Sequence, residues 1–213
     1  MNKEKIRFRF IGTRVSVLAG LMLLPLAACA DVTGTVFPPD LASLLDAGPE
    51  AATLTSEEQL LYDLIMEYRR EHDLPEIPLS RSLTFVAQVH ARDTAYNEFP
   101  PHCNGHSWSD NGPWQGGCYT ADHANAPLMW EKPQELTPYP GSGFEISCSS
   151  YSIDATANRC LAAWQTSPGH DQVIRNAGPW SQMDWNAIGI GMYGTEAHVW
   201  FGSETDPLSV PAQ

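Results

Sequence analysis

The chain has 213 residues, of which 25 are acidic and 12 basic, for a formal net charge of −13. So acidic a protein repels phosphate backbones, and no basic stripe offsets this, so a nucleic-acid partner is excluded. The length allows one domain once the terminal segments are set aside.

Lys3, Lys5, Arg7, Arg9 and Arg14 precede the short apolar run "VSVLAGLMLLPL", which leads into "LAAC". The run is too short for a membrane-spanning helix and has the flanks of an export signal. Residues 1–28 therefore read as a lipoprotein signal peptide, with Cys29 the lipidated first residue of the mature chain. The signal takes five of the basic residues with it, so the mature chain is more acidic still. Attachment to a membrane then comes from lipid rather than from a basic amphipathic helix. The expected location is the cell envelope, and in a Gram-negative host Ala30 directs the protein to the outer membrane.

Residues 29–54, rich in Pro, Asp, Ala and Gly, read as a lipidated tether with no sustained periodicity. A globular domain follows over 55–207, and 208–213 form a short tail. Thr55 and Glu58 make a capping-box pattern before Leu60, Leu61, Leu64, Ile65 and Tyr68, which share one helical face; Pro75 and Pro78 end the segment. A second helix is predicted over about 80–98, with Leu83, Val86, Ala87 and Ala91 inward and His90 packed beside that stripe. From Pro100 to about Ser152 the chain reads as ordered, stapled loop. A helix over about 154–165 places Ala157, Cys160, Leu161 and Trp164 together. Ser167 and Pro168 open a shorter one as N-cap and first-turn proline.

The end is β. Ile188, Ile190 and Met192 alternate with Gly189 and Gly191, and Val199 and Phe201 alternate with His198 and Trp200, so the two runs should pair as a hairpin. Glycines confined to one face let another element pack very close to the sheet. Helices first and an antiparallel hairpin last make the fold α+β.

Five cysteines leave an odd one in an exported chain. With Cys29 lipidated, Cys103, Cys118, Cys148 and Cys160 can pair in three ways. The pairing Cys103–Cys118 and Cys148–Cys160 is expected because both bonds close short local loops, and an oxidising envelope keeps them formed.

The order "CNGHSWS", "GFEI", "AAWQTSPGH" and "AIGIGMYG" with "AHVWFG" resembles the CAP superfamily of cysteine-rich secretory proteins, antigen 5 and pathogenesis-related proteins, over about residues 56–205. The resemblance implies a three-layer α-β-α sandwich with a central antiparallel sheet and a cleft lined by two histidines and two acids. By position these are His106, Glu145 and His170, with Ser167 standing where the second acid is usual. In several family members the cleft binds a divalent metal. Two imidazoles and a carboxylate with open positions suit Zn²⁺ or another divalent cation. Asp122 and His123 are further candidates for the cleft rim.

Three functions fit these residues. The leading one is an envelope-anchored domain that binds a ligand or divalent metal in its cleft, with no catalysis assigned. Its partner would be a small ligand, a glycan or an envelope protein. The second is a metal-assisted hydrolase of peptide or cell-wall bonds. It lacks a second carboxylate as base, and the chain has neither H-E-x-x-H nor G-x-S-x-G. The third is a glycan-binding or adhesion module using Trp108, Trp114 and Trp130, although tryptophans in stapled loops commonly form local core.

Overall fold

The computed structural model describes residues 37–150 and 153–209. The expected signal, Cys29, the first part of the tether and residues 210–213 lie outside the described residues. The described part of the tether is not plain linker. Pro39–Ala47 form helix α1, opened by Pro39, with a 3-10 turn at Pro49–Ala51 behind it. Leu41 is buried, and Leu44 and Leu45 pack against the same apolar cluster. The spacing of these leucines is helical, but nine residues are too few to stand out as a period. Asp40 accepts a hydrogen bond from the Tyr96 hydroxyl and pairs with Arg92 at 3.3 Å, which fixes α1 to the helix carrying those residues.

Helix α2 (Ser56–Arg70) begins with the expected capping box. The Thr55 side chain accepts from the Glu58 amide, and the Glu58 carboxylate accepts from the Thr55 amide at 2.7 Å. Glu58 does more than cap. Buried, it also accepts from Gln88 and from the Met192 amide, each at 2.9 Å, joining three elements at one carboxylate.

Helix α3 (Arg81–Tyr96) is capped by Ser80, and eleven of its sixteen residues are buried. A helix buried on so many sides lies inside its layer rather than over the surface. The sheet against which it lies has strand order β1–β3–β2, all antiparallel: β1 Gly143–Ser149, β2 Ala187–Tyr193 and β3 Glu196–Gly202. The predicted hairpin is β2–β3. Its glycines do what their alternation implies. A Cβ at Gly189 would lie 2.0 Å from the Leu83 backbone, and one at Gly191 would lie 2.1 Å from that of Ala87. Helix α3 rests directly on the strands because those positions have no side chains.

The other sheet face carries Ile146, Val199, Ile190, Ile188 and Phe201. Helices α6 (Ala157–Gln165) and α7 (Pro168–Ile174) cover it together with α2, through Leu61, Ile65, Leu161, Trp164 and Ile174. The result is the expected three-layer α-β-α sandwich. Both expected disulfides are present, Cys103–Cys118 within the long loop and Cys148–Cys160 between β1 and α6.

The stretch read as loop from 100 to 152 contains more regular structure than expected. Strand β1 lies in it, as do the five-residue helices α4 (Ala126–Trp130) and α5 (Lys132–Leu136), each with a proline in its first turn. Five residues are too few for a helical period to show in sequence. The rest of the segment wraps over α3, burying Trp108, Trp114 and Tyr119 against Val86 and Val89. Trp108 and Trp114 are therefore local core and offer no exposed ring to a partner. Among the three candidates, only Trp130 is exposed, at 38%.

Candidate functional site

Glu145 lies on β1 opposite Trp200 of β3, two register positions from the Ser147–His198 pair. This places Glu145 and His198 on the sheet face that meets α3. His90 arrives from α3, and His106 from the loop stapled by Cys103–Cys118. Three imidazoles thus converge on one carboxylate. His90 Nδ1 is 2.5 Å and His198 Nδ1 2.8 Å from Oε1, while His106 Nδ1 is 2.7 Å from Oε2.

Burial and bonding set the protonation of this cluster. The side chains of His90, His198 and Glu145 have no exposed surface. Both nitrogens of His90 face acceptors, Glu145 and the Ser107 carbonyl at 2.8 Å, so both carry protons and the ring is cationic. Burial works against that charge, but the Glu145 carboxylate prevails and raises the His90 pKa. The ring also stacks on Trp108, with centroids 4.0 Å apart and planes within 7°. His198 is different. Burial and the neighbouring His90 charge lower its pKa and favour the neutral ring, with Nδ1 on Glu145 and Nε2 3.0 Å from the Thr94 hydroxyl oxygen. Burial would raise the Glu145 pKa, but the His90 charge and the imidazole hydrogen bonds hold it well below the carboxylate range. One buried anion is thus matched by one buried cation and fully hydrogen-bonded.

In front of the cluster opens a cleft of about 460 Å³. His106, His170, Tyr119, His123 and Gln172 are its polar side, with Glu145 at the back, and Met129, Trp130, Phe144, Val173 and Trp180 form its apolar walls. Nδ1 donates to Glu145, which leaves the other ring nitrogen of His106, Nε2, on the side away from the carboxylate. The His170 ring lies 6.5 Å from the His106 ring between centroids. Burial, and then the neighbouring His106, lower its pKa and favour the neutral ring. The Tyr119 hydroxyl donates to His123 Nδ1 at 2.9 Å; burial and the Glu145 charge keep it protonated.

The structure thus brings His106 and Glu145 into contact and sets His170 across the cleft from His106. Glu145 stands behind His106 rather than beside it as an equal ligand. His123 lines the cleft; Asp122 and Ser167 are not among its lining residues. The Asp122 carboxylate is taken up by Thr120 and the Ala124 amide. Ser167 is the N-cap residue of α7 by backbone position, without a side-chain capping bond. Sequence reading missed that His90 and His198 are part of the site. His90 read as a packed position and His198 only as one face of the predicted hairpin; both are buried, and only the fold shows that both point at Glu145.

Among the described residues, two groups of three side chains offer metal-ligand atoms within 4.8 Å of one another. In the first, His102 with Cys103 and Cys118, both sulfurs are bound in a disulfide. The second is His90, Glu145 and His198, whose ligand atoms could hold a metal and are here held together by protons.

A three-layer α-β-α domain with histidines and a glutamate at a central cleft is the architecture that the sequence resemblance implies. Residues 62–201 match the profile of the CAP, or cysteine-rich secretory protein, family, and the chain belongs to that family. No curated protein matches the chain. Among solved structures, it is similar to an extracellular protein containing an SCP domain from Bacillus anthracis, with 18% identity and a TM-score of 0.49 over 72% of this chain and 45% of that one. It is also similar to an outer surface protein of Borrelia burgdorferi, with 20% identity and a TM-score of 0.48 over 72% and 97%. A cysteine-rich secretory protein of Staphylococcus aureus gives 13% and 0.44 over 71% and 40%. The chain spans less than half the length of the first and third of these proteins. No helix among the described residues is long and apolar enough to cross a membrane.

Proposed function

We propose that the protein is an exported CAP domain, held to the envelope by lipid on Cys29, that binds a small ligand or a divalent cation in the cleft between His106 and His170. The observation that carries this reading is the His106–Glu145 contact. A histidine that ligates a metal commonly gives its other ring N–H to a carboxylate, which fixes the tautomer and raises basicity. His106 has that partner in Glu145 at 2.7 Å, and its Nε2 has no protein partner among the described residues.

The two cleft imidazoles also fit an ion by size. Bonds of about 2.1 Å from each nitrogen put two ring centroids roughly 5–6 Å apart, so His170 needs to close by about an ångström. The buried group suits an ion less well. His90 would have to lose its ion pair with Glu145, and no exposed side-chain surface admits a cation. When bound, a divalent cation would supply Lewis acidity toward a ligand oxygen. The chain itself orients His106 through Glu145, favours the neutral His170 ring and lines the cleft with an aromatic wall. Among the described residues, no serine, threonine or cysteine lines the cleft.

Calorimetric titration with Zn²⁺ tests the reading. One site per domain is expected, weakening as pH falls because imidazoles must be deprotonated to coordinate. His106→Ala and His170→Ala should each abolish it while leaving the fold intact. Unchanged affinity in both variants would refute the site.

A further inference from the structure

We infer that the ligand taken by the cleft is an uncharged saccharide ring, lying on the Trp130–Phe144–Trp180 wall with its polar edge toward His106 and His170. The inference rests on the cleft being a binding site and adds the chemical class of what it binds.

The wall is a cradle of three aromatic rings. Phe144 sits in the middle, 6.0 Å from Trp130 and 5.0 Å from Trp180 between centroids, with planes at 58° and 66°. Trp130 is the last residue of α4 and remains 38% exposed. The other two loop tryptophans are spent as core, at 1% for Trp108 and 7% for Trp114, so this exposure is not a general property of the loop. An exposed indole beside a half-buried indole and a phenyl ring costs hydration unless something covers it.

The polar side of the cleft narrows the choice. No lysine or arginine lines it, a buried carboxylate lies behind His106, and the chain is strongly acidic, so nothing favours an anion. A purely apolar ligand would leave His106 Nε2 and His170 desolvated and unpaired, which costs more than the apolar contact returns. What remains is a molecule with an apolar face and hydroxyl or amide N–H donors along its edge. A pyranose has this form: its C–H face stacks on indole, and its rim hydroxyls, able to donate or accept, hydrogen-bond imidazole nitrogens. An N-acetyl group adds an N–H donor and a methyl for the aromatic wall. A small ammonium ion would suit the aromatic rings, but it has neither a flat face as large as the cradle nor enough donors for both histidines.

The test uses the mature protein without its lipid, titrated with chitotetraose, with maltotetraose and with tetramethylammonium, followed by tryptophan fluorescence and by NMR saturation transfer. Saturable binding of either oligosaccharide is expected, with transfer strongest to the C–H protons. Trp130→Ala should weaken it about tenfold or more and leave Zn²⁺ binding unchanged, since Trp130 offers no ligand atom. If Zn²⁺ binds and neither saccharide does, the saccharide inference is overturned and the cleft reading stands. Saturation by tetramethylammonium alone overturns it too, in favour of a cationic ligand. Loss of both Zn²⁺ and saccharide binding in the unaltered protein would remove the cleft reading itself.

Discussion

Glu145 is the residue on which the interior depends. Flanked by Phe144 and Ile146 in a short strand, a carboxylate needs partners, and it has three imidazoles. Replacing it by Gln keeps the shape and removes the charge, leaving the His90 cation buried without its counter-ion. Breaking a buried pair from one side costs about 3–5 kcal/mol, and urea denaturation of Glu145→Gln should show a loss of that order. A loss below about 1 kcal/mol would mean that His90 is neutral. Asp206 gives a second residue-scale prediction. Burial opposes its charge, but bonds from the Leu208 and Ser82 amides and the Ser80 and Ser82 hydroxyls lower its pKa. A carboxylate with a lowered folded pKa stabilises the fold above its unfolded value near 3.9 and loses that contribution as pH falls through the folded value. Stability measured from pH 6 down to pH 2 should therefore fall less steeply in Asp206→Asn than in the parent. Parallel curves would remove Asp206 as a contributor to acid unfolding.

At the scale of elements, legibility followed length and patterning. The α2 capping box, the α3 stripe, the α6 face and the β2–β3 alternation were all visible, because each is long enough to carry a period. Strand β1 was hidden although Phe144, Ile146 and Cys148 alternate in it: glycine, serine and cysteine weaken its β signal, and it pairs with a strand some fifty residues away. The same distance hid the site. His106, Glu145 and His170 could be named through family resemblance, whereas His90 read as a packed position and His198 only as one face of a hairpin. Their convergence on Glu145 depends on α3 seating on the glycines of β2. That seating is testable. Gly191→Ala places a Cβ 2.1 Å from the Ala87 backbone, and backbone cannot step aside as a side chain can. Overpacking commonly costs about 1–3 kcal/mol; here the upper end or more is expected, read as a lowered Tm and perturbed His90 resonances. A neutral effect would show that α3 stands off the sheet.

Over the whole molecule, the chain joins an acidic, disulfide-stapled domain to an N-terminal segment read as a lipid anchor. Helix α1 docks on α3 through Leu41 and Asp40, so the folded domain includes residues that the sequence assigned to the tether. The anchor prediction stands apart from the cleft. Cys29→Ala should release the protein from membranes in a cell fractionation and abolish acyl mass at the mature N-terminus; unchanged membrane association would refute it. The charge pattern, the disulfides and the folded domain are compatible with several ligands, and the cleft is where they are separated.

The most direct test is a crystal of the mature domain grown with Zn²⁺ and measured at the zinc absorption edge. The account predicts an anomalous peak in the cleft, within bonding distance of His106 Nε2 and a His170 nitrogen, with Glu145 still hydrogen-bonded to His106 Nδ1. A peak between His90 and His198, or no peak at saturating Zn²⁺, would contradict it.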